Sequence, residues 1–101
     1  MNVVVVLFNL RAGVSVEAYE KFARTMDIPE VNRLPSVEKF AVLKAQGLMN
    51  GGASPYQYIE ILQVRDMQQL GKDTQSEVMK KVVATFAEMA DAPQFIVTQS
   101  L

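Results

Sequence analysis

The first strand-like segment of this chain has hydrophobic residues at every position and no polar face. Residues 3–8 read Val-Val-Val-Val-Leu-Phe. A strand covered on one side alternates apolar and polar residues, whereas a continuous apolar run is typical of a strand covered on both sides. Only two long helical patterns follow, and two helices can cover one face of a small sheet. We therefore expect a second copy of the chain to cover the other face.

The rest of the pattern switches between the 3.6-residue period of helices and the two-residue period of strands. After a strand over 1–10, it predicts a helix from a Ser15 N-cap to about Met26, and a single helical turn that Pro29 starts and Pro35 ends. Strands over 36–46 and 56–65 are joined by a glycine-rich hairpin, and a capped turn follows over 66–71. A capping box at 74–77 opens the second long helix, and a strand over 94–101 ends the pattern. The buried stripe of the second helix is predicted to be Val78, Val82, Phe86 and Met89. This β-α-β-β-α-β order predicts one α+β domain over residues 1–101, a ferredoxin-like antiparallel sheet with two helices on one face.

Composition narrows the possible chemistry. The 101 residues are 50% hydrophobic, and ten basic and eleven acidic residues are mixed along the chain without a cationic cluster, so we expect no nucleic-acid partner. The N-terminal apolar run is too short to span a membrane and lacks a preceding basic segment, so we expect a cytoplasmic protein with no membrane association. The chain has no Cys, His or Trp. Without thiolate or imidazole ligands, neither a metal site nor a cofactor is predicted.

Two segments carry a family resemblance. Residues 27–37 read Asp-Ile-Pro-Glu-Val-Asn-Arg-Leu-Pro-Ser-Val, and residues 58–62 read Tyr-Ile-Glu-Ile-Leu. With the order of elements, they resemble the RedY-like (HapK) family of the dimeric α+β barrel superfamily, over essentially the whole chain. The resemblance implies a homodimer whose two sheets face each other. It also implies an accessory role in prodigiosin-type pigment biosynthesis, in the branch that makes the methoxy-bipyrrole aldehyde, with a small aromatic or pyrrole-type ligand and other biosynthetic enzymes as candidate partners.

The third predicted strand carries the main candidate site. Tyr58 and Glu60 share one face by strand parity, and we assign Ile59 and Ile61 to the face beneath the helices. That assignment turns Tyr58 and Glu60 toward the barrel side or the pocket, where the resemblance implies an acidic residue. A hairpin centred on its Asn-Gly pair places Lys44 opposite Tyr58 and diagonal to Glu60. Tyr58 and Glu60 are predicted catalytic residues and Lys44 a substrate-binding residue; the alternative is an ion pair that only stabilises the sheet.

Weaker candidates lie elsewhere. Asn9 and Arg11 end the first strand and are predicted to bind an anionic or carbonyl group, with plain strand termination as the alternative. Tyr19 lies on the apolar stripe of the first helix, either in the core or at the pocket edge, where it is a predicted substrate-binding residue. A mixed-charge segment after this helix is interpreted as solvated surface, with a lid as the alternative; its residues are Arg24, Asp27, Glu30 and Arg33.

Three functions remain open from the sequence. The first is an accessory binding protein or small enzyme that holds a pyrrole-type intermediate in an apolar pocket. The second is a cofactor-independent monooxygenase or isomerase, as found elsewhere in the superfamily, although many such relatives rely on His or Trp. The third is a non-catalytic protein-interaction dimer. Catalysis and simple binding are therefore both compatible with the sequence.

Overall fold

The computed structural model describes residues 1–101 as one antiparallel sheet with helices against it. The elements in chain order are β1 (Asn2–Leu10), α1 (Val16–Phe22), a π-helical turn (Ala23–Asp27), α2 (Ile28–Asn32), β2 (Val37–Lys44), β3 (Tyr58–Val64), α3 (Met67–Asp73), α4 (Glu77–Met89) and β4 (Ala90–Gln99). The strands follow the order β2-β3-β1-β4, and all neighbours are antiparallel. The predicted ferredoxin-like α+β fold is confirmed. None of the helices combines the length and the apolar character needed to cross a membrane.

Both faces of the sheet carry apolar side chains, but the helices cover only one of them. On β1, Val4, Val6 and Phe8 are buried in the core that the sheet forms with the helices. We call the other side the open face; its apolar residues are Val3, Val5, Leu7, Ala41, Leu43, Ile59, Ile61 and Ile96. None of them belongs to the buried core or packs against it. The continuous apolar run of β1 therefore reflects two separate apolar surfaces.

The helical segment between β1 and β2 is continuous, whereas the sequence predicts a helix to about Met26 and a separate helical turn that starts at Pro29. It begins at the Ser15 N-cap, whose hydroxyl accepts a hydrogen bond from the Ala18 N–H at 3.0 Å. It then passes through the π-helical turn into α2 without a break at Met26. Pro29 lacks an N–H, and its ring would clash with the carbonyl four residues earlier in a regular α-helix. A widened turn directly before the proline lets the helical path continue.

The last long helix begins later than the predicted capping box. Ser76 is its N-cap, because the Ser76 hydroxyl accepts a hydrogen bond from the Met79 N–H at 3.2 Å. Thr74 instead ends α3. The fully buried stripe of α4 is Met79, Val82 and Phe86. Of the predicted stripe, Val82 and Phe86 are buried and Met89 packs against the core, but Val78 is 50% exposed and Met79 is buried in its place.

The two edge strands are closed in different ways. On β2, the Asn32 side chain accepts a hydrogen bond from the Phe40 N–H at 2.9 Å and donates one to the Phe40 carbonyl at 3.0 Å. These bonds satisfy backbone groups that no neighbouring strand reaches. β4 begins at Ala90 and contains Pro93, whereas the sequence predicts a start at residue 94. A proline is tolerated there because an edge strand has a free side that needs no N–H.

Candidate functional site

A cavity of about 350 Å³ lies between the helix-covered face of the sheet and the helices. Fourteen of its 17 lining residues are hydrophobic, and the other three are Asp27, Glu60 and Thr74. The lining side chains that are also exposed to solvent mark its mouth: Met67, Val83, Phe95 and Val97. Small-molecule sites typically occupy roughly 300–1,000 Å³ and combine apolar walls with a few polar groups. The cavity has the size and the character of such a site.

Glu60 reaches this cavity from the central strand β3. Its cross-strand partners are Val6 and Val42, so the carboxyl group lies in an apolar row and is 5% exposed. The fully buried Tyr19 donates its hydroxyl hydrogen to Glu60 Oε2 at 3.4 Å. Burial, and then repulsion by Asp27, raise the pKa of Glu60 to about 8, against the smaller effect of the Tyr19 hydrogen bond. The Glu60 carboxyl is therefore mostly protonated at neutral pH.

Asp27 is the second buried carboxyl group, and its interpretation as solvated surface is wrong. It is 5% exposed, lines the cavity, and takes part in no hydrogen bond or ion pair. Burial raises the pKa of Asp27 to about 7. Asp27 ends the π-helical turn, and a π turn carries an extra residue that changes which side chains face inward. Pro29, two residues later, is the sequence signal for this irregularity, because prolines disturb the turn that precedes them.

The predicted assignment of the two β3 faces is wrong. Tyr58 and Glu60 are buried on the helix-covered face, whereas Ile59 and Ile61 lie on the open face. Strand parity separates the two sets but does not say which set meets the helices. Aromatic packing holds the Tyr58 set on the helix-covered face, since Tyr58 stacks against Phe8 with ring centroids 5.6 Å apart. An aromatic cluster of this kind fills the space below the helices better than two isoleucines.

The predicted cluster of Tyr58, Glu60 and Lys44 is not formed. The register is as predicted, with Lys44 directly opposite Tyr58, but both side chains contact Glu20. Tyr58 donates its hydroxyl hydrogen to Glu20 Oε2 at 2.7 Å, and Lys44 Nζ lies 2.8 Å from the same oxygen. The hydrogen bonds from Lys44 and Tyr58 lower the pKa of Glu20 to about 2, and burial raises the pKa of Tyr58. With Arg24, this cluster lines a separate depression of about 100 Å³.

Asn9 and Arg11 do not line the cavity. The Asn9 side chain accepts a hydrogen bond from the Gln57 N–H at 2.9 Å, and it donates one to a carbonyl of the same connecting segment. Arg11 Nε donates to the Ala90 carbonyl at 3.1 Å. Both residues therefore tie the end of β1 to neighbouring backbone, in agreement with the strand-termination alternative.

The carboxyl pair, Asp27 and Glu60, defines what the cavity can do chemically. Its two groups can accept N–H donors, and they exchange protons near neutral pH, as general acids and bases do. No group of three or more acidic side chains is placed to hold a metal ion. Tyr19 orients Glu60 through its hydrogen bond, and burial raises the pKa of Tyr19 so that its hydroxyl keeps its proton. The cavity thus offers two acids and an apolar wall, and Tyr19 holds one of the acids from outside the cavity lining.

Comparison with known proteins connects this arrangement to a family. Residues 2–101 match the family model described as REDY-like protein HapK. The crystal structure of HapK from Hahella chejuensis is 23% identical and superposes with a TM-score of 0.81, covering 100% of this chain and 93% of its own. A dimeric ferredoxin-like protein of unknown function from Thermobifida fusca is 14% identical, with a TM-score of 0.75 and coverages of 98% and 90%.

A third similar structure is that of an oxygenase. It is a variant of SnoaB, a cofactor-independent oxygenase from Streptomyces nogalater, 14% identical, with a TM-score of 0.72 and coverages of 98% of this chain and 91% of its own. At these identities the solved structures show a shared fold. No curated protein sequence gives a significant match.

Proposed function

This chain belongs to the REDY-like HapK family, and we propose that it binds a pyrrole-type intermediate of prodigiosin-type pigment biosynthesis. The branch is the one that makes the methoxy-bipyrrole aldehyde, and the chain acts there as an accessory protein or a small enzyme. One observation carries the proposal: an apolar cavity of about 350 Å³ that contains two buried carboxyl groups. A planar heteroaromatic ring suits the apolar walls, and its pyrrole N–H suits a carboxyl acceptor.

The two carboxyl side chains of the cavity make few hydrogen bonds within the protein. The only hydrogen bond to Glu60 is the 3.4 Å contact from Tyr19, and Asp27 has none. A buried polar group without a partner costs free energy, so an N–H donor that enters the cavity recovers part of that cost. A hydrogen bond contributes about 0.5–1.5 kcal/mol to a neutral carboxyl group and about 1.5–3 kcal/mol to an ionised one, which makes the carboxyl pair the main source of orientation for the ligand.

Calorimetric titration with pyrrole-2-carbaldehyde and bipyrrole aldehydes tests this proposal. We expect micromolar binding of a bipyrrole aldehyde by the native chain. Glu60→Gln should weaken it, and the double variant Asp27→Asn/Glu60→Gln should weaken it by at least about tenfold. Glu88→Gln, which changes an exposed glutamate on α4, is the matched control. If no pyrrole-type aldehyde binds the native chain, the proposed function is wrong.

We also propose that the chain forms a homodimer through the open face. The central row of that face, Ala41-Ile61-Val5-Ile96, is apolar across all four strands. No element of the chain covers it. A similar structure is described as dimeric, which supports the same assembly here. Light scattering at micromolar concentration should give twice the protomer mass, and a monomer would contradict this part of the proposal.

A cofactor-independent oxygenase or isomerase is the second candidate function. It is supported by the carboxyl pair, one member of which can act as a general base near neutral pH. The similarity to an oxygenase described as cofactor-independent supports it as well. Oxygen uptake or ring rearrangement of a bound aldehyde would distinguish this function from simple binding. Turnover should then disappear in Asp27→Asn/Glu60→Gln. A non-catalytic dimer would show neither binding nor turnover.

A further inference from the structure

The carboxyl pair has no cationic counterpart in the protein, and we propose that the ligand supplies it: a planar apolar molecule that binds through a positively charged N–H group. This inference rests on the proposed function, because it concerns the same cavity. It adds the charge of the ligand, which the family does not specify. It also changes the expected selectivity, since a neutral molecule of the same shape should bind less tightly.

No positively charged side chain lines the cavity beside the carboxyl pair. None of the 17 residues that line the cavity is Lys or Arg. The basic groups that line the neighbouring depression, Lys44 and Arg24, are paired with Glu20. The remaining polar lining residue, Thr74, donates its hydroxyl hydrogen to a backbone carbonyl. No basic side chain of the protein therefore pairs with Asp27 or Glu60.

Asp27 is a buried carboxyl group without a partner in the protein. It is 5% exposed and directed into the cavity without a hydrogen bond or an ion pair. Buried carboxylates in proteins are normally paired or hydrogen-bonded, because an isolated buried charge is expensive. A cationic N–H group placed between Asp27 and Glu60 would supply both a charge and donors. The low polarity of the surrounding walls strengthens that attraction relative to water.

Binding of a cation should also release protons. Two carboxyl groups in one apolar cavity cannot both ionise easily: burial raises the pKa of both, and repulsion by Asp27 raises that of Glu60 further. The other titratable groups facing the pair are phenols: Tyr19 from α1 bonds Glu60, and Tyr58 on β3 bonds Glu20. The strands β1, β2 and β4 and the helices α2, α3 and α4 present uncharged side chains to the cavity. A bound cation would therefore favour the ionised form of the carboxyl pair, which would release a proton to the solvent.

Three probes of one shape and different charge test the inference. Naphthalene-2-carboxamidine is cationic at neutral pH, naphthalene-2-carboxamide is its neutral isostere, and 2-naphthoate is the anion. We expect the amidine to bind the native chain at least about tenfold more tightly than the amide, and the naphthoate not to bind. Titration at about pH 7 in two buffers of different ionisation heat should show proton release with the amidine only.

Variants separate the charge from the cavity shape. Asp27→Asn should weaken amidine binding much more than amide binding and so remove most of the preference for the amidine, whereas Glu88→Gln should change neither affinity. Circular dichroism of each variant shows whether it is folded, and Asp27→Ser provides a second substitution if Asp27→Asn is not. Equal binding of amidine and amide, or no binding of any probe, would overturn the inference. Binding of pyrrole-type aldehydes together with equal probe affinities would overturn only the inference, whereas amidine binding without aldehyde binding would overturn only the proposed function.

Discussion

Glu60→Gln should flatten the dependence of stability on pH between about pH 5 and pH 9. The substitution keeps the shape of the side chain, and the glutamine carbonyl can still accept the Tyr19 hydroxyl hydrogen at the position of Glu60 Oε2. It removes only the ability to ionise. The variant therefore isolates the cost of placing a negative charge in an apolar row of the sheet.

The magnitude follows from the pKa of Glu60. Its value rises from 4.5 to about 8 in the folded chain, mainly because the group is buried. One unit of pKa corresponds to about 1.4 kcal/mol, so full ionisation of Glu60 costs the folded state up to about 5 kcal/mol. The side chain is 5% exposed, so solvent screening reduces this figure little. Repulsion by Asp27 contributes to the same shift, so the costs of the two carboxyl groups are not additive.

The sign is set by proton binding. Between pH 4.5 and about 8 the folded state holds more protons on Glu60 than the unfolded state does. The free energy of unfolding of the native chain is therefore highest below that window and falls as pH rises through it. Glu60→Gln should lie within about 1 kcal/mol of the native chain at pH 5, and it should be more stable by roughly 3–5 kcal/mol at pH 9.

Denaturant unfolding followed by circular dichroism measures this difference, because the chain has no Trp to report by fluorescence. All samples need one protein concentration, since dimer formation would make stability depend on it. Glu88→Gln is the control and should parallel the native chain at every pH. If Glu60→Gln also parallels the native chain from about pH 5 to pH 9, the Glu60 carboxyl does not resist ionisation and the reasoning is refuted.

Three further predictions concern the helix cap, the open face and the sheet edge. Ser76→Ala should destabilise the chain by about 1 kcal/mol in thermal or denaturant unfolding, because Ser76 caps α4, and Thr74→Ala should cost less. A larger loss for Thr74→Ala would instead support the capping box predicted from the sequence. Ala41→Glu should convert the dimer into monomers in size-exclusion chromatography, because it places a charge in the open face. The control Ala84→Glu, on the exposed side of α4, should leave the dimer intact. A dimer that survives Ala41→Glu would place the interface elsewhere. Asn32→Ala should lower the free energy of unfolding by about 1–2 kcal/mol, because it leaves the Phe40 N–H and carbonyl without partners. The control Asn50→Ala, in the exposed hairpin, should lower it little. Equal effects would mean that water replaces the Asn32 side chain.

Local patterns in the sequence determine the fold and one feature of the candidate site. The two-residue and 3.6-residue periods predict the order of strands and helices, because side-chain spacing depends on nearby residues alone. The continuous apolar run of β1 predicts a sheet with two apolar faces, which the structure contains. Counting outward from the Asn-Gly pair of the hairpin places Lys44 opposite Tyr58, and the structure has this register although the connection over residues 45–57 is long.

Only the tertiary structure decides which side chains form the cavity. Parity groups Tyr58 with Glu60, but packing against Phe8 and Tyr19 turns that pair toward the helices. Asp27 resembles a surface charge in the sequence, and the π-helical turn before Pro29 brings it inside. Contacts of this kind join residues that are distant along the chain, and no local period encodes them. The sequence therefore determines the scaffold and its apolar faces, while long-range packing decides where two carboxyl groups meet inside it.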